Sequence, residues 1–220
     1  MTYTGDVKPG GPAAVRELAQ ATIRKLAVSE MANNVYLLTS RRTGAQLLVD
    51  AAADPNACLA LVREAGGRLD LVVTTHSHWD HHRALAQVVA ATGAPTAAGV
   101  DDADALPVHP DRLLRHGDRI EVGDLLLDVV HLRGHTPGSV ALAYRDPEGR
   151  THLFTGDSLF PGGVGNTANP GQSFDALIED VTARVFDVYD DDTWVYPGHG
   201  GDTTLGAERP HLQEWRDRRW

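Results

Sequence analysis

The chain has 220 residues, 42% of them hydrophobic, and a formal net charge of −10 with histidine counted neutral. That length holds one sizeable core, while the acidic balance argues against nucleic acid or an anionic membrane as the main partner. No apolar run approaches the roughly 20 residues that cross a bilayer. The Gly/Pro-rich start lacks the apolar stretch of a signal peptide and Cys58 is the single cysteine, so a cytoplasmic protein without a disulfide framework is expected.

Residues 1–14 read as a flexible N-terminus ahead of one domain over 15–220. Thr22–Val28, Asn34–Thr39 and Gln46–Val49 predict consecutive strands. Asp54-Pro55 opens a helix that Gly66-Gly67 closes, with Cys58, Leu61, Val62 and Ala65 on one face. Leu71–Thr75 is the next strand. A helix from about Asp80 turns Leu85, Val88 and Val89 inward and stops near Gly93 and Pro95. Two short strands flank Gly117, and Leu125–Leu132 is a longer buried one. Val140–Tyr144 and Thr151–Thr155 form a hairpin around Pro147-Glu148-Gly149. After a Gly-rich loop from Phe160 to Gly171, Ser173 starts a helix with Phe174, Leu177, Ile178, Val181 and Val185 on one face. Thr193–Tyr196 is the last strand and Glu208–Trp215 a short helix. Strand runs with helices outside them predict two sheets packed face to face and covered by helices.

The densest chemistry is Thr75-His76-Ser77-His78-Trp79-Asp80-His81, directly after the apolar Leu71-Val72-Val73. In extended chain, residues two apart point the same way, so His76 and His78 can hold one ion together. The turn that follows brings Asp80 and His81 back to the same spot. Packing gives no reason to gather imidazoles and a carboxylate there, whereas metal binding does. Later the chain repeats an apolar strand, a Gly turn and a ligand type three times: Gly134-His135, Gly156-Asp157 and Gly198-His199. Five histidines and two aspartates exceed the four ligands or so of one Zn²⁺ and suit two ions. Reach assigns His76, His78 and His135 to the first metal and Asp80, His81 and His199 to the second. Asp157 bridges them.

These motifs resemble the metallo-β-lactamase superfamily, whose His-x-His-x-Asp-His signature stands here as His76 to His81. Gly134-His135-Thr136-Pro137-Gly138-Ser139, Leu153 to Phe160 and Pro197-Gly198-His199-Gly200 resemble its glyoxalase II (hydroxyacylglutathione hydrolase) branch. The likeness covers about residues 22–205. It implies an α/β fold, the αββα four-layer sandwich, with a dinuclear site at one edge. Two departures concern the substrate. Only residues 200–220 follow His199, so the helical C-terminal region of full-length glyoxalase II enzymes is expected to be missing. The family's Gly-x-Gly-Arg loop reads Gly163-Val164-Gly165-Asn166 here.

The implied cofactors are two divalent metal ions, Zn or else Fe or Mn. Two cations about 3.5–4 Å apart can lower the pKa of a shared water to near 7. The expected reaction is attack of that hydroxide on a small thioester, with Asp80 orienting it and shuttling its proton. A thiolate leaves readily, its reference pKa being about 8.5. The resemblance also allows a persulfide dioxygenase with one iron on His76, His135 and Asp157, or hydrolysis of another ester or lactone. The sequence does not set the number of subunits.

Other residues have simpler readings. His82 falls about 100° round a helix from His81, so it reads as facing solvent or supporting a ligand, with a ligand role as the alternative. His131 is a structural histidine, or a partner to a ligand. His109, His116, His152 and His211 read as surface residues and Cys58 as core. Trp79 either walls a substrate pocket or packs the ligand loop, and Phe160 either rims the pocket or lies in a mobile loop. The runs Asp101-Asp102-Ala103-Asp104 and Asp190-Asp191-Asp192 read as solvated turns. The basic tail with Arg216, Arg218, Arg219 and Trp220 reads as a solvated end, with a substrate carboxylate as the alternative.

Overall fold

Strand alternation sorts the apolar residues of this chain onto three surfaces, and those surfaces dictate the layers. The computed structural model describes residues 3–220. Strands β1 (Ala14–Glu17), β2 (Ala21–Val28), β3 (Asn33–Ser40), β4 (Gln46–Val49), β5 (Leu71–Thr74), β6 (Thr96–Gly99) and β7 (Arg112–Leu114) make the first sheet in chain order. It is antiparallel as far as β4 and parallel from β4 to β7. The parallel steps require crossovers, of which helices α1 (Pro55–Glu64) and α2 (Leu85–Thr92) supply the first two.

The chain then passes to a second sheet of order β15-β14-β11-β10-β9-β8. Its strands are β8 (Arg119–Val122), β9 (Leu125–His131), β10 (Val140–Arg145), β11 (Thr151–Gly156), β14 (Trp194–Pro197) and β15 (Thr203–Thr204). A two-stranded ribbon, β12 (Leu159–Phe160) with β13 (Gly163–Val164), precedes helix α3 (Phe174–Val181), and α4 (Leu205–Glu208) and α5 (Leu212–Arg218) follow β15.

Leu47, Val49, Val73, Leu127, Val129, Leu142, Phe154 and Tyr196 meet between the sheets. Their strand neighbours Leu48 and Val72 face outward onto Cys58, Leu61 and Val62 of α1 and Leu85 and Val88 of α2. On the other side Val130, Leu153 and Val195 pack under Leu177, Ile178 and Val181 of α3 and Trp215 of α5. This is the αββα sandwich expected above. Burying each such Leu or Val contributes about 1.5–3 kcal/mol. Local signals set the helix starts: Asp54 accepts from Ala57 N at 3.0 Å, and Ser173 from Ala176 N at 3.2 Å.

Several expectations need correction. The described part of the N-terminus is anchored: the Tyr3 hydroxyl donates to Asp202 at 2.8 Å, its ring lies 5.9 Å from that of Trp194, and β1 pairs with β2. Residues 1 and 2 lie outside the described residues. The helix expected from Asp80 begins at Leu85, because Trp79–His81 form a separate 3-10 turn. Strand β6 escaped notice because Thr-Ala-Ala-Gly carries little β propensity. Its small residues answer to sterics, since a Cβ on Gly99 would overlap the Gly138 carbonyl oxygen. The Gly-rich loop holds the β12–β13 ribbon.

The core also contains charge. Lys25 is wholly buried, and its ammonium donates to Gly5 O (2.9 Å), Gly200 O (2.7 Å) and Asp202 Oδ1 (2.6 Å). His152, expected at the surface, is wholly buried too. Arg16 donates to the Tyr196 hydroxyl at 3.2 Å, leaving that hydroxyl to serve His152 Nδ1 at 3.0 Å, while Nε2 faces Asp146 at 3.3 Å. Burial, helped by the charge of Arg16, pushes the His152 pKa down to about 4 from the ordinary 6.5. Between those values the unfolded chain binds more protons than the folded one, so stability falls as pH drops from about 6.5 to about 4, by about 3 kcal/mol at the limit. Denaturant unfolding at pH 7 and pH 5 is expected to show this fall in the native protein and a visibly smaller one in His152→Gln. Equal falls would remove His152 as the cause.

Candidate metal centre

All seven sequence-predicted ligands lie at one edge of the sandwich, on loops leaving strand ends. The loop after β5 carries His76, His78, Asp80 and His81. The loops after β9, β11 and β14 carry His135, Asp157 and His199 respectively. Backbone bonds between the sheets hold this edge shut: Val140 N donates to Thr75 O at 2.8 Å, and Asn34 N to Gly198 O at 2.7 Å. Gly198 is required as glycine, since a Cβ there would overlap Asp157 Oδ1.

Three triads of ligand atoms have their members within 4.8 Å of one another: Asp50, His76 and His81, and the two that match the assignment above, His76, His78 and His135, and Asp80, His81 and His199. In the last of these, His81 Nε2 lies 3.1 Å from His199 Nε2, and Asp80 Oδ2 lies 3.3 Å from His199 Nε2 and 3.6 Å from His81 Nε2. Asp157 sits between the two matching triads. Its Oδ2 is 4.0 Å from His76 Nε2, 3.6 Å from His135 Nε2 and 3.4 Å from His199 Nε2, and its Oδ1 is 3.3 Å from His81 Nε2.

The outer nitrogens decide the tautomers. The Thr75 hydroxyl donates to Asp50 Oδ2 (2.8 Å), so it can only accept from His76 Nδ1, at 3.0 Å. His81 Nδ1 meets Asp50 Oδ2 at 2.9 Å, His135 Nδ1 meets Asn166 O at 2.7 Å, and His199 Nδ1 meets Met31 O at 2.9 Å. All of these partners are acceptors, so each Nδ1 carries a proton and each Nε2 is the nitrogen left to face the centre. Rings that hold metals are oriented in this way.

The fit to metal rests on two further observations. His76 Nε2, His135 Nε2 and Asp157 Oδ1 are buried with no hydrogen-bond partner among the described residues, a state that costs free energy unless something else satisfies them. The electrostatics also call for positive charge. Burial opposes charging His81, yet Asp157 and Asp50 outweigh it and hold that imidazole well above its ordinary pKa. Burial likewise opposes charge on His199, but Asp157 and Asp80 raise its pKa to about 10. His76, by contrast, is driven well below the ordinary value by burial and by His81. The carboxylates thus attract cations while buried lone pairs await a partner, and divalent ions answer both demands. Nitrogen and carboxylate donors of this kind suit zinc, iron or manganese.

Two carboxylates escaped the sequence reading. Asp50 accepts from Thr75 N at 2.7 Å besides the bonds above, so its oxygens are already engaged and it acts on the outer side of the rings. It stands at the end of β4 with a left-handed φ of 58°, and its signal was a charge inserted between Leu47-Leu48-Val49 and Ala51-Ala52-Ala53. Asp102, read as part of a solvated turn, is buried. It accepts from Ser77 N (2.8 Å), Thr136 Oγ1 (2.6 Å) and Gly138 N (2.7 Å), joining the His76–His81 loop to the His135 loop. Asn33, at the start of β3, donates to Asp80 Oδ2 at 2.9 Å. His82 and His131 stand outside the cluster and brace loops through Ser77 O and Pro137 O. Trp79 is exposed beneath the Arg83 guanidinium.

A two-sheet sandwich with His/Asp clusters on the loops of one edge defines the class, and the comparisons name it. Residues 28–199 match the metallo-beta-lactamase superfamily, and the chain belongs to that superfamily. A hydroxyacylglutathione hydrolase from Polaromonas sp. (strain JS666) is 36% identical over 167 residues, which cover 74% of this chain and 60% of that relative. The chain therefore spans less than two thirds of the relative's length. Among solved structures, ETHE1 from Myxococcus xanthus has 30% identity and a TM-score of 0.76, over 86% of this chain and 82% of that one. TTHA1623, solved in a di-iron-bound form, has 34% identity and a TM-score of 0.70, over 84% of this chain and 96% of that one.

Removing the charge of Asp50 should loosen metal without touching a ligand. Asp50→Asn is expected to bind zinc about 10–100-fold more weakly, measured by competition with a chromophoric chelator. Unchanged affinity would show that the His81 ring is oriented without it.

Proposed function

We propose that the protein is a metal-dependent hydrolase of small thioesters, with two divalent ions, zinc in the first instance, on the seven residues above. His76, His78 and His135 would hold one ion and Asp80, His81 and His199 the other, with Asp157 between the two sets. The observation that carries this reading is the common orientation of four imidazoles, each with its outer nitrogen tied to an acceptor and its inner nitrogen turned toward one carboxylate. The hydroxyacylglutathione hydrolase name of the Polaromonas relative supports the substrate class.

Bound there, two cations would supply Lewis acidity and water of lowered pKa, near 7. The chain supplies the rest. Asp80, fixed by Asn33, keeps a carboxylate oxygen at the cluster that can orient an attacking water and take its proton. A cavity of about 290 Å³ opens onto His135, Asp157 and His199 and is walled by Phe160, Val164 and Trp220, among others. Its apolar sides admit an acyl or thiol chain and keep bulk water away from the carbonyl. No general acid is needed for departure, because a thiolate is a stable leaving group.

A second reading is favoured by one fact: of the seven proposed ligands, those with a buried atom lacking a partner are His76, His135 and Asp157. Two imidazoles and one carboxylate form the set that holds a single iron with open positions, as a persulfide dioxygenase would use.

Elemental analysis of protein prepared without chelators, followed by a screen of acyl thioesters, separates the two. About two ions per chain and thioester turnover are expected. His78→Ala should lose roughly one ion and about 100-fold or more in kcat/KM. One iron per chain with oxygen uptake on a persulfide would replace the hydrolase by the second reading, and full activity with full metal content in His78→Ala would reject the dinuclear assignment.

A further inference from the structure

A cavity of about 350 Å³ lies between the outer face of the first sheet and helix α1, and it shares no residue with the one that opens onto His135, Asp157 and His199. Val15 of β1 and Arg24 and Leu26 of β2 form one side of it. Val15 is the cross-strand partner of Arg24, and Leu26 follows two residues on, so all three share a face of the sheet. The other side is the stripe of α1 with Ala57, Leu61 and Glu64, spaced i, i+4 and i+7. Leu26 and Leu61 reach the core beneath. The short side chain of Ala57 does not cover β1, where Val15 keeps 45% of its surface exposed.

Two opposite charges line this apolar space without meeting. Arg24 is half-buried, and its Nη1 is buried with no hydrogen-bond partner among the described residues. A guanidinium nitrogen held out of water without an acceptor costs free energy. Glu64, the last residue of α1, borders the same cavity and is exposed, yet it does not supply that acceptor. A ligand with an anionic group for Arg24 and a cationic group for Glu64 would satisfy both. Between those groups it needs an aliphatic body to cover Val15, Leu26 and Leu61. A simple carboxylic acid would face Glu64 with like charge, and a simple amine would leave Arg24 as it is. A carboxylate, an ammonium and an aliphatic side chain on one carbon meet all three requirements.

We propose that this cavity is a binding site for a free aliphatic α-amino acid. The ligand's carboxylate accepts from Arg24 Nη1, its ammonium faces Glu64, and its side chain lies on Val15, Leu26 and Leu61. The site is independent of the metal centre and of the reaction proposed there.

The test is a titration of isotope-labelled, zinc-loaded protein with L-leucine, followed residue by residue through its amide NMR shifts. Saturable shifts are expected at Val15, Arg24 and Leu61, with the amides of His81 and Gly198 unmoved. Leucinamide and isocaproate each lack one of the two charges and should bind about fivefold or more weakly than leucine. Arg24→Gln should weaken leucine about tenfold and erase its advantage over leucinamide. Glu64→Gln should erase its advantage over isocaproate. Ala60→Phe fills the same cavity from α1 and should block binding while the rest of the spectrum stays native, which decides the matter if Arg24→Gln does not fold. The proposal is overturned by the absence of a saturable shift up to about 50 mM leucine, or by shifts confined to the metal-centre loops. It is equally overturned if leucinamide and isocaproate bind as tightly as leucine, or if binding is undiminished in folded Arg24→Gln or Ala60→Phe.

Discussion

Neither sheet of this molecule owns the candidate centre, so its geometry depends on how firmly the two sheets are joined at one edge. The seven proposed ligands come from loops of strands in one sheet or the other, and their nitrogen and oxygen atoms must converge within a few ångströms. The hydrophobic effect between the sheets is non-directional, whereas hydrogen bonds fix distance and angle. Here Thr75 O and Val140 N, Gly198 O and Asn34 N, and the carboxylate of Asp102 tie one loop to the next across the gap. Each tie begins or ends within three residues of a proposed ligand. The precision of the site is therefore a property of these cross-links more than of either sheet.

The same edge concentrates charge where the rest of the core has little. Asp50, Asp80 and Asp157 would repel one another and lose hydration if nothing compensated them. The rings answer in two ways: outward N–H groups satisfy carboxylate or carbonyl oxygens, and inward lone pairs remain for a cation. A protein that only needed stability would do better with apolar residues of the same volume. Retaining so many ionisable groups out of water is therefore an argument for chemistry, independent of any likeness to known proteins.

Much of this was legible in the sequence because it depends on local pattern. The long apolar strands, the capped helices α1 and α3 and the His-x-His-x-Asp-His run all announce themselves within a few residues. What remained hidden depends on contacts distant in the chain. Strand β6 ends in glycine because Gly138 crosses directly over Gly99, which nothing near position 99 reveals. His152 looks like a surface histidine until Tyr196 and Asp146 are placed around it. Asp102 looks like one of a run of exposed acids, yet its three bonds are to residues 77, 136 and 138. The seven proposed ligands could be picked out because four stand in one run after an apolar strand and three follow a glycine. Asp50, which positions one of them, has an ordinary turn-like setting and was missed.

One further feature concerns the buried lysine beneath the His199 loop. Lys8 and Lys25 are the only lysines in the sequence, all other basic side chains being arginine or histidine. Lys8 is exposed and Lys25 is sealed beneath Gly5 and Gly200. Amine-directed reagents therefore meet a single lysine on the folded molecule, so a dye or support coupled through it would attach in one orientation. Lys25 becomes reactive only when the turn at Gly200 lifts away, which makes its acylation a clock for the opening of the edge that carries His199.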